Sequence, residues 1–190
     1  MKTIKEKYLV VGADFSGYPL KEAVVAHLKA KGWKIKDVGV TGPENASDPE
    51  NMFHRVGLRI GAEIAEGNYE RAIAFCGTGM GIHIAAAKCP HVRAAVVESV
   101  ASGRRCSTGN DCNVLAMGSF YVAPAMGCDI ADAYLSASLG SDYTWWHNFY
   151  EYHKLAIDEL EAFDYETYKK NGFRVEHLGD YPLQLETKPD

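Results

Sequence analysis

The segment Cys76-Gly77-Thr78-Gly79-Met80-Gly81 has the composition of a loop that binds an anion. Three glycines that alternate over five residues let the backbone turn tightly and aim several N–H groups at one point. A predicted helix follows directly, and the N-terminus of a helix adds partial positive charge. The segment therefore predicts a site for an anion, or for an oxyanion that forms during a reaction. It lacks the Gly-Lys-Ser/Thr ending of a P-loop, and alternating glycines alone are weak support for a dinucleotide site.

Cys76 stands at the mouth of this loop. A helix N-terminus favours the thiolate form of a nearby cysteine, and a thiolate can act as a base or a nucleophile. The alternative is a buried cysteine that acts as a small hydrophobic residue, which is the commoner role. Its position alone leaves both interpretations open.

Other polar residues are candidates with equally ordinary alternatives. Asp14 follows a predicted strand, where a carboxylate accepts hydrogen bonds from hydroxyls or acts as an acid or base, but it also fits a helix N-cap. Asn110 and Asp111 either contact a ligand or form a turn. Several basic residues either bind an anion or lie at the surface: His54, Arg55, Arg104 and Arg105.

The elements that must position these residues alternate between strands and helices. Four short apolar runs predict strands: residues 8–13, 71–76, 94–97 and 114–117. The alternating apolar and polar residues 33–38 predict a fifth strand, nearer the sheet edge. The segments between the strands, and the segment after the last one, are predicted to be helices: residues 20–28, Met52 to Ile64, 82–88, 99–111 and 123–135. This order predicts an α/β fold: a doubly wound, Rossmann-like three-layer sandwich with a five-stranded, mostly parallel sheet. Ligands bind such sheets at the carboxyl ends of the strands, where we expect residues 14–17, 76–81 and 107–111.

Composition restricts the class of protein further. The chain has 190 residues, 47% of them hydrophobic and 24% charged, which is typical of a globular protein. Its net charge is −5 without a run of Lys or Arg, which argues against a nucleic-acid partner. No stretch approaches the ~20 apolar residues of a membrane span, and the charged start is not typical of a signal peptide. Five cysteines without ligand spacing predict neither a disulfide framework nor a metal site, so we expect a reduced, cytoplasmic protein.

The last fifty residues differ from the rest of the chain. We expect residues 1–140 to form the domain and residues 141–190 to form a helical arm and tail that is not an independent domain. Aromatic residues mark this arm: Trp145, Trp146, Phe149, Tyr150, Tyr152, Phe163, Tyr165, Tyr168, Phe173 and Tyr181. Such an arm packs either on its own domain or on a second subunit, since aromatic residues are enriched at interfaces.

Taken together, these segments resemble the family that contains ribose-5-phosphate isomerase B and galactose-6-phosphate isomerase. The resemblance covers about residues 8–140 in order. The matching pieces are Gly12-Ala13-Asp14 with Gly17, Leu20-Lys21-Glu22, residues 32–39, Cys76 to Gly81, Ile84 to Lys88, Val92-Arg93-Ala94 and Asn110 to Gly118.

The resemblance implies a reaction and a site. Members interconvert an aldose and a ketose through a cis-enediolate, without a cofactor or a metal. By resemblance, Cys76 is the base, Thr78 assists proton movement between the oxygens, and the amides of residues 77–81 hold the enediolate. The implied substrate-binding positions are Asp14, Gly77, Gly79, Met80, Gly81 and Asn110. A homodimer is also implied, with the site between subunits.

This sequence departs from the family pattern where the family binds phosphate and opens the sugar ring. Phe15 replaces a His after the first Asp, and Gly109 replaces the ring-opening His before Asn-Asp. Gly118-Ser119-Phe120 stands where Gly-Gly/Ser-Arg is common, and residues 145–151, which correspond to the family's C-terminal helix, contain no Arg. A phosphate dianion needs several cationic donors. We therefore expect this chain to retain the proton-transfer half of the site and to lack the phosphate-binding half.

We expect a sugar isomerase for a non-phosphorylated or carboxylate-bearing, uronate-type sugar that needs no ring opening. His54, Arg55, Arg104 or Arg105 would contact its charge. The alternatives are a pentose or hexose phosphate isomerase with rearranged phosphate ligands, and a sugar-binding protein without catalysis, against which Cys76 and Thr78 argue. The aromatic arm predicts an obligate dimer or a dimer of dimers, whose arm shapes the neighbour's pocket.

Overall fold

The computed structural model describes residues 1–179, which form one sheet with helices on both of its faces. The strands are β1 (Tyr8–Ala13), β2 (Lys34–Asp37), β3 (Ala72–Cys76), β4 (Ala94–Val96) and β5 (Val114–Gly118). The helices are α1 (Tyr18–Ala30), α2 (Phe53–Ala65), α3 (Met80–Ala86), α4 (Val100–Asn110), α5 (Pro124–Leu135), α6 (Phe149–Glu161) and α7 (Tyr165–Lys170). Two 3₁₀ turns, Pro43–Asn45 and Pro49–Asn51, precede α2.

The five strands are all parallel and lie in the order β2-β1-β3-β5-β4. β3 occupies the centre, where Ile73 pairs with Val11 of β1 and with Leu115 of β5. The predicted doubly wound α/β sandwich is therefore confirmed, and the sheet is wholly rather than mostly parallel. Because the strand order reverses about β1 and β3, the carboxyl ends of these strands open a crevice for a ligand.

Each face of the sheet packs against its own hydrophobic core. Leu9, Val11 and Ala13 of β1 face the core shared with α1, α4 and α5, whereas Val10 faces the core shared with α2 and α3. Alternate residues of a strand point to opposite faces, so a strand that is buried on both faces must be apolar throughout. This explains the uninterrupted apolar runs of β1, β3 and β5.

Two helix boundaries differ from the predictions. The helical spacing places Met52 on the apolar face of the second helix, but Met52 precedes α2 and is half exposed. The helix after the glycine loop begins at Met80 rather than at Ile82, and it ends at Ala86. Its early start follows from Gly79, whose left-handed φ of +76° ends the loop and allows the next residue to enter the helix.

The prediction that residues 107–111 lie at the carboxyl edge of the sheet is wrong. A helix that connects two parallel strands runs antiparallel to them, so the last turn of α4 returns to the amino edge before β5 begins. Arg93, which directly precedes β4, is bonded to this turn. Its guanidinium donates to the Asp111 carboxylate at 2.8 Å, and its amide donates to the Asn113 side chain at 2.8 Å. Asn110 therefore lies at the opposite edge of the subunit from Cys76.

The described part of the arm packs on its own domain. Phe149 is buried and stacks on Tyr143 with ring centroids 3.7 Å apart, and the Arg105 guanidinium lies 4.4 Å from the Tyr143 centroid. Arg104 binds Asp142 through two hydrogen bonds. Trp145, Trp146 and His147 precede α6 rather than belonging to it. Tyr181 and the rest of residues 180–190 lie outside the described residues, and the predicted boundary at residue 140 stays a prediction.

The Glu161 carboxylate attaches the end of α6 to the sheet domain. Glu161 accepts hydrogen bonds from the Arg93 guanidinium at 2.5 Å and pairs with His91 at 2.7 Å. Burial raises the pKa of Glu161, but the bonds to His91 and Arg93 outweigh it and hold that pKa below its ordinary value of 4.5. Since the pKa is lower in the folded chain, the carboxylate stabilises the fold above pH 4.5, and this stabilisation is lost as the pH falls through the folded-state value.

We predict that Glu161→Gln lowers the free energy of unfolding by about 0.5–1 kcal/mol at neutral pH. The difference from the native chain should shrink below the folded-state pKa, because the native carboxylate is then protonated too. Denaturant unfolding at several pH values measures both effects. Asp158→Asn is the matched control, since Asp158 pairs with Lys154 of the same helix. An equal loss in both variants would contradict the role given to Glu161.

Candidate active site

Cys76 ends β3 with its sulfur held by the loop that follows. The side chain is 4% exposed, and the Gly79 amide donates a hydrogen bond to Sγ at 3.1 Å. The loop therefore aims a backbone donor at the sulfur. Cys76 is thus a sulfur at the edge of the core with a backbone donor aimed at it, and its reactivity stays a prediction.

Close contacts surround the glycines of the loop. A Cβ on Gly77 would lie 2.5 Å from the Phe120 ring, and one on Gly81 would lie 2.7 Å from the Phe53 ring. Gly79 combines its positive φ with backbone atoms of Met117 and Gly118 at 3.0 Å from a Cβ position. A side chain on Gly79 would displace the loop from β5, so this glycine fixes the direction of the loop amides.

Thr78 lies half-buried at the turn of the loop. Its Oγ1 accepts a hydrogen bond from the Met80 amide at 3.2 Å, which leaves the hydroxyl hydrogen available to a ligand. Phe120 N–H donates to the Gly77 carbonyl at 2.9 Å, so the turn after β5 is bonded to the same loop. The loop thus offers a sulfur, a hydroxyl and backbone amides within a few residues.

Asp14 stands beside Cys76 at the end of β1. Its amide donates to the Phe75 carbonyl at 3.3 Å, and its carboxylate accepts bonds from Gly17 N–H at 2.8 Å and from the Ser16 hydroxyl at 3.0 Å. The residue that caps α1 is Gly17 rather than Asp14. The carboxylate closes the turn that follows β1, and it remains partly exposed at the same edge as the glycine loop.

A cleft of about 340 Å³ opens next to Asp14. Its lining residues are Asp14, Phe15, Ala46, Ser47, Asp48, Pro49, Asn51, Met52 and Phe53. Arg59 fixes the segment that lines one side of the cleft, because its guanidinium donates to the carbonyls of Val38 and Glu50 and to the Asn51 side chain. The described residues that line the cleft include acids, an amide, a hydroxyl and aromatic rings, but no Lys, Arg or His.

Sequence reasoning missed the role of Lys21, which is fully buried near this edge. Its ammonium pairs with Asp37 at the end of β2 and donates to the Val40 carbonyl, while Val40 N–H bonds to Ala13 at 2.8 Å. Lys21 therefore positions the loop beside Asp14. The sequence does contain a signal for this burial, because position 21 shares a helix face with the apolar residues 25 and 28.

The structure brings together some of the predicted site residues and separates others. The residues grouped at the carboxyl edge are Asp14, Cys76, Gly77, Thr78, Gly79, Met80 and Gly81. His54 and Arg55 follow Phe53, which begins α2 and lines the cleft. Arg55 is paired with Glu50 at 2.5 Å. Arg104, Arg105 and Asn110 are placed elsewhere in the same subunit, because the two arginines bind the arm and Asn110 ends α4 at the amino edge.

Metal-binding clusters and membrane-spanning helices are both absent from residues 1–179. No group of three or more His, Cys, Asp or Glu side chains within that range is arranged to hold a metal ion. None of the helices in the described chain is long and apolar enough to cross a bilayer.

Comparison with known proteins agrees with this geometry. Residues 9–144 match the ribose/galactose isomerase family. The 4-deoxy-4-sulfo-D-erythrose isomerase of Clostridium sp. (strain MSTE9) is 35% identical over 162 residues, which are 85% of this chain and 98% of that protein. Ribose-5-phosphate isomerase B of Escherichia coli is 35% identical over 131 residues, covering 69% of this chain and 85% of that one.

A solved structure of Clostridium thermocellum ribose-5-phosphate isomerase B is 30% identical, with a TM-score of 0.70 over 86% of this chain and 99% of that chain. The resemblance inferred from the motifs is therefore confirmed. The family match and these identities show that the chain belongs to the ribose/galactose isomerase family and is a sugar isomerase.

Proposed function

We propose that the protein interconverts the aldose and ketose forms of a short, open-chain sugar that carries one negative charge, such as a sulfonate or a carboxylate, rather than a phosphate. The observation that carries this proposal is the aromatic lining of the site. Phe15 and Phe120 are 70% and 67% exposed beside Asp14 and the glycine loop, at positions where phosphate isomerases of the family commonly have cationic side chains. Aromatic rings cannot replace the hydrogen bonds that a desolvated dianion loses.

The similarity to the sulfoerythrose isomerase supports the same conclusion. That alignment spans 162 residues, whereas the alignment to the E. coli ribose-phosphate enzyme spans 131. A sulfonate bears one charge near neutral pH, and a tetrose substituted at C4 has no C4 hydroxyl with which to close a furanose ring. Such a substrate needs no ring-opening acid, which accounts for Gly109 at the position of the family's histidine.

The proposed mechanism uses the geometry of the loop. The Cys76 thiolate removes the proton from C2 of the aldose, and the electron pair moves to the C1 carbonyl oxygen to give the enediolate. The backbone amides of the glycine loop stabilise that oxyanion, and Thr78 transfers a proton between the two oxygens. Cys76 then returns its proton to C1, which gives the ketose. Asp14 accepts hydrogen bonds from substrate hydroxyls.

We also propose that the protein acts as a homodimer or a dimer of dimers. Exposed aromatic and aliphatic side chains surround the carboxyl edge of the sheet: Phe15, Met52, Met80, Ile84, Phe120 and Tyr121. Burying such side chains contributes about 1.5–3 kcal/mol each, which favours association. A second subunit would also supply Asn110, which lies far from Cys76 within one chain.

Light scattering should give at least twice the 20.9 kDa mass of the chain, and a monomer that is fully active would contradict this proposal.

We predict that Cys76→Ala lowers kcat about 10²–10⁴-fold, the usual contribution of a general base, while the protein remains folded. Exchange of solvent deuterium into C2 of the substrate should disappear with activity. Mass spectrometry of the recovered sugar measures the exchange. Cys89→Ala is the control, because Cys89 lies at the end of the α3 segment, away from the loop amides. Exchange that persists in Cys76→Ala would assign the base to another residue, with Asp14 the next candidate.

The choice of substrate is tested with a panel of short sugars of different charge. We expect kcat/KM for 4-deoxy-4-sulfo-D-erythrose or for a uronate to exceed that for D-erythrose 4-phosphate and D-ribose 5-phosphate. Turnover of ribose 5-phosphate faster than every non-phosphorylated sugar would contradict the proposal and favour a phosphate isomerase with rearranged ligands.

A single substitution tests the reason for this preference. Phe120→Arg should raise kcat/KM for the phosphate relative to the sulfonate by about tenfold or more, since a charge-assisted hydrogen bond contributes about 1.5–3 kcal/mol. Tyr121→Arg is the matched control, because it adds the same charge one residue away from the ring that covers Gly77. An equal change in both variants would show that only net charge matters.

A further inference from the structure

A buried polar cluster lies at the amino edge of the sheet, away from the candidate active site. We call it the Arg71 cluster; it consists of Arg71, Cys106, Ser107, Cys112 and Tyr134. Arg71 is 3% exposed, and its Nη1 donates to the Tyr134 carbonyl at 2.5 Å and to Ser107 Oγ at 3.3 Å. Its guanidinium also lies 4.9 Å from the centroid of the Tyr134 ring. The Tyr134 hydroxyl donates to the Cys112 carbonyl at 3.2 Å, which joins both ends of the cluster.

The charge of Arg71 is not neutralised by an acid in the described residues. No carboxylate between residues 1 and 179 forms an ion pair with it, and its acceptors are a neutral hydroxyl and a neutral carbonyl. A buried guanidinium without a counter-charge is costly, so an anion that forms nearby is stabilised. Burial raises the pKa of the Tyr134 hydroxyl and keeps it neutral, so the nearby groups that can become anionic are the thiols of Cys106 and Cys112.

The backbone brings these two thiols together. α4 ends at Asn110, Asp111 takes a left-handed φ of +47°, and the Cys112 amide then bonds to the Cys106 carbonyl at 2.9 Å. A hydrogen bond from the Cys112 thiol lowers the pKa of Cys106 against the effect of burial, and Arg71 lowers it further. The same bond and burial raise the pKa of Cys112. Cys106 is therefore the more acidic thiol of the pair, and while it is protonated its Sγ donates to the Gly103 carbonyl at 3.1 Å.

Both sulfurs are accessible to a small molecule. Cys106 and Cys112 are 6% and 7% exposed, and both line an open cavity of about 510 Å³ between α4, β4 and α6. Asn110 and His153 line the same cavity. A peroxide is small and neutral enough to enter. Burial raises the pKa of the Cys89 and Cys128 thiols, so these two cysteines are less reactive toward an oxidant than Cys106.

We propose that Cys106 and Cys112 form a peroxide-oxidisable thiol pair, a modification site separate from Cys76. The Cys106 thiolate attacks one oxygen of hydrogen peroxide, which forms a sulfenic acid and releases hydroxide. The Cys112 sulfur then attacks the Cys106 sulfur, expels the sulfenic oxygen as water and closes a disulfide. In sum, two thiols and one peroxide give one disulfide and two waters. The disulfide ties the last turn of α4 to the start of β5 and encloses Asn110.

The test uses the full-length reduced protein treated with hydrogen peroxide, followed by alkylation of the remaining thiols. Trypsin and an aspartate-specific protease together release residues 106–110, which contain only Cys106, and residues 111–128, which contain Cys112 and Cys128. We expect these two fragments to be joined without reductant, with a mass two hydrogens below their sum, and to separate with dithiothreitol. The result does not depend on the substrate, so its failure leaves the proposed function unaffected.

Two variants identify the partner thiol. Cys112→Ser should abolish the linkage and leave Cys106 as a sulfenic acid that dimedone traps, whereas Cys128→Ser should retain the linkage. Native protein whose Cys106 and Cys112 both stay alkylatable after peroxide treatment would overturn the proposal. So would a linkage that forms only after unfolding, or one that joins Cys106 to Cys128.

Discussion

The hydrogen bond from the Gly79 amide to the Cys76 sulfur depends on how closely three strand ends approach one another. Gly79 reaches its left-handed conformation against Gly118 of β5, and Gly17 packs against the Phe75 carbonyl at the end of β3, where a Cβ would lie 2.5 Å from that oxygen. Parallel strands bring their carboxyl ends to the same edge of the sheet. Glycines, which have no side chain, let the turns that follow these strands meet there. The arrangement of the thiol, the amides and Asp14 is a consequence of this approach.

The proposed preference for a singly charged substrate rests on the surroundings of that site. Aromatic rings approach the two outer glycines of the loop, with Phe120 over Gly77 and Phe53 over Gly81, whereas Gly79 is approached by Met117, Gly118 and Val96. Most of the cations near the edge already have partners, since Lys21 binds Asp37 and Arg55 binds Glu50. A substrate that enters such a cleft loses water without gaining several fixed cations, which costs a dianion far more than a monoanion.

The amino edge of the subunit has a different chemistry. The arm covers α4 there through stacked rings and Arg105, and Glu161 ties α6 to Arg93 and His91. Beneath them lies the Arg71 cluster with its pair of thiols. The two edges are separated by the length of the strands, so Cys76 and the proposed Cys106–Cys112 pair lie at opposite edges of the subunit.

The sequence by itself determined the fold class and the candidate glycine loop, because both depend on residues that are neighbours along the chain. Apolar runs buried on both faces predict parallel strands, and alternating glycines after Cys76 predict the loop whatever surrounds them. Tertiary structure alone decided the rest. Lys21 is buried because the end of β2 meets α1 over it, and Arg104 and Arg105 hold the arm because α4 turns that face outward. Residues 107–111 lie at the amino edge because α4 runs back across the sheet before β5. Each of these outcomes depends on contacts between residues far apart in sequence, which local patterns do not encode.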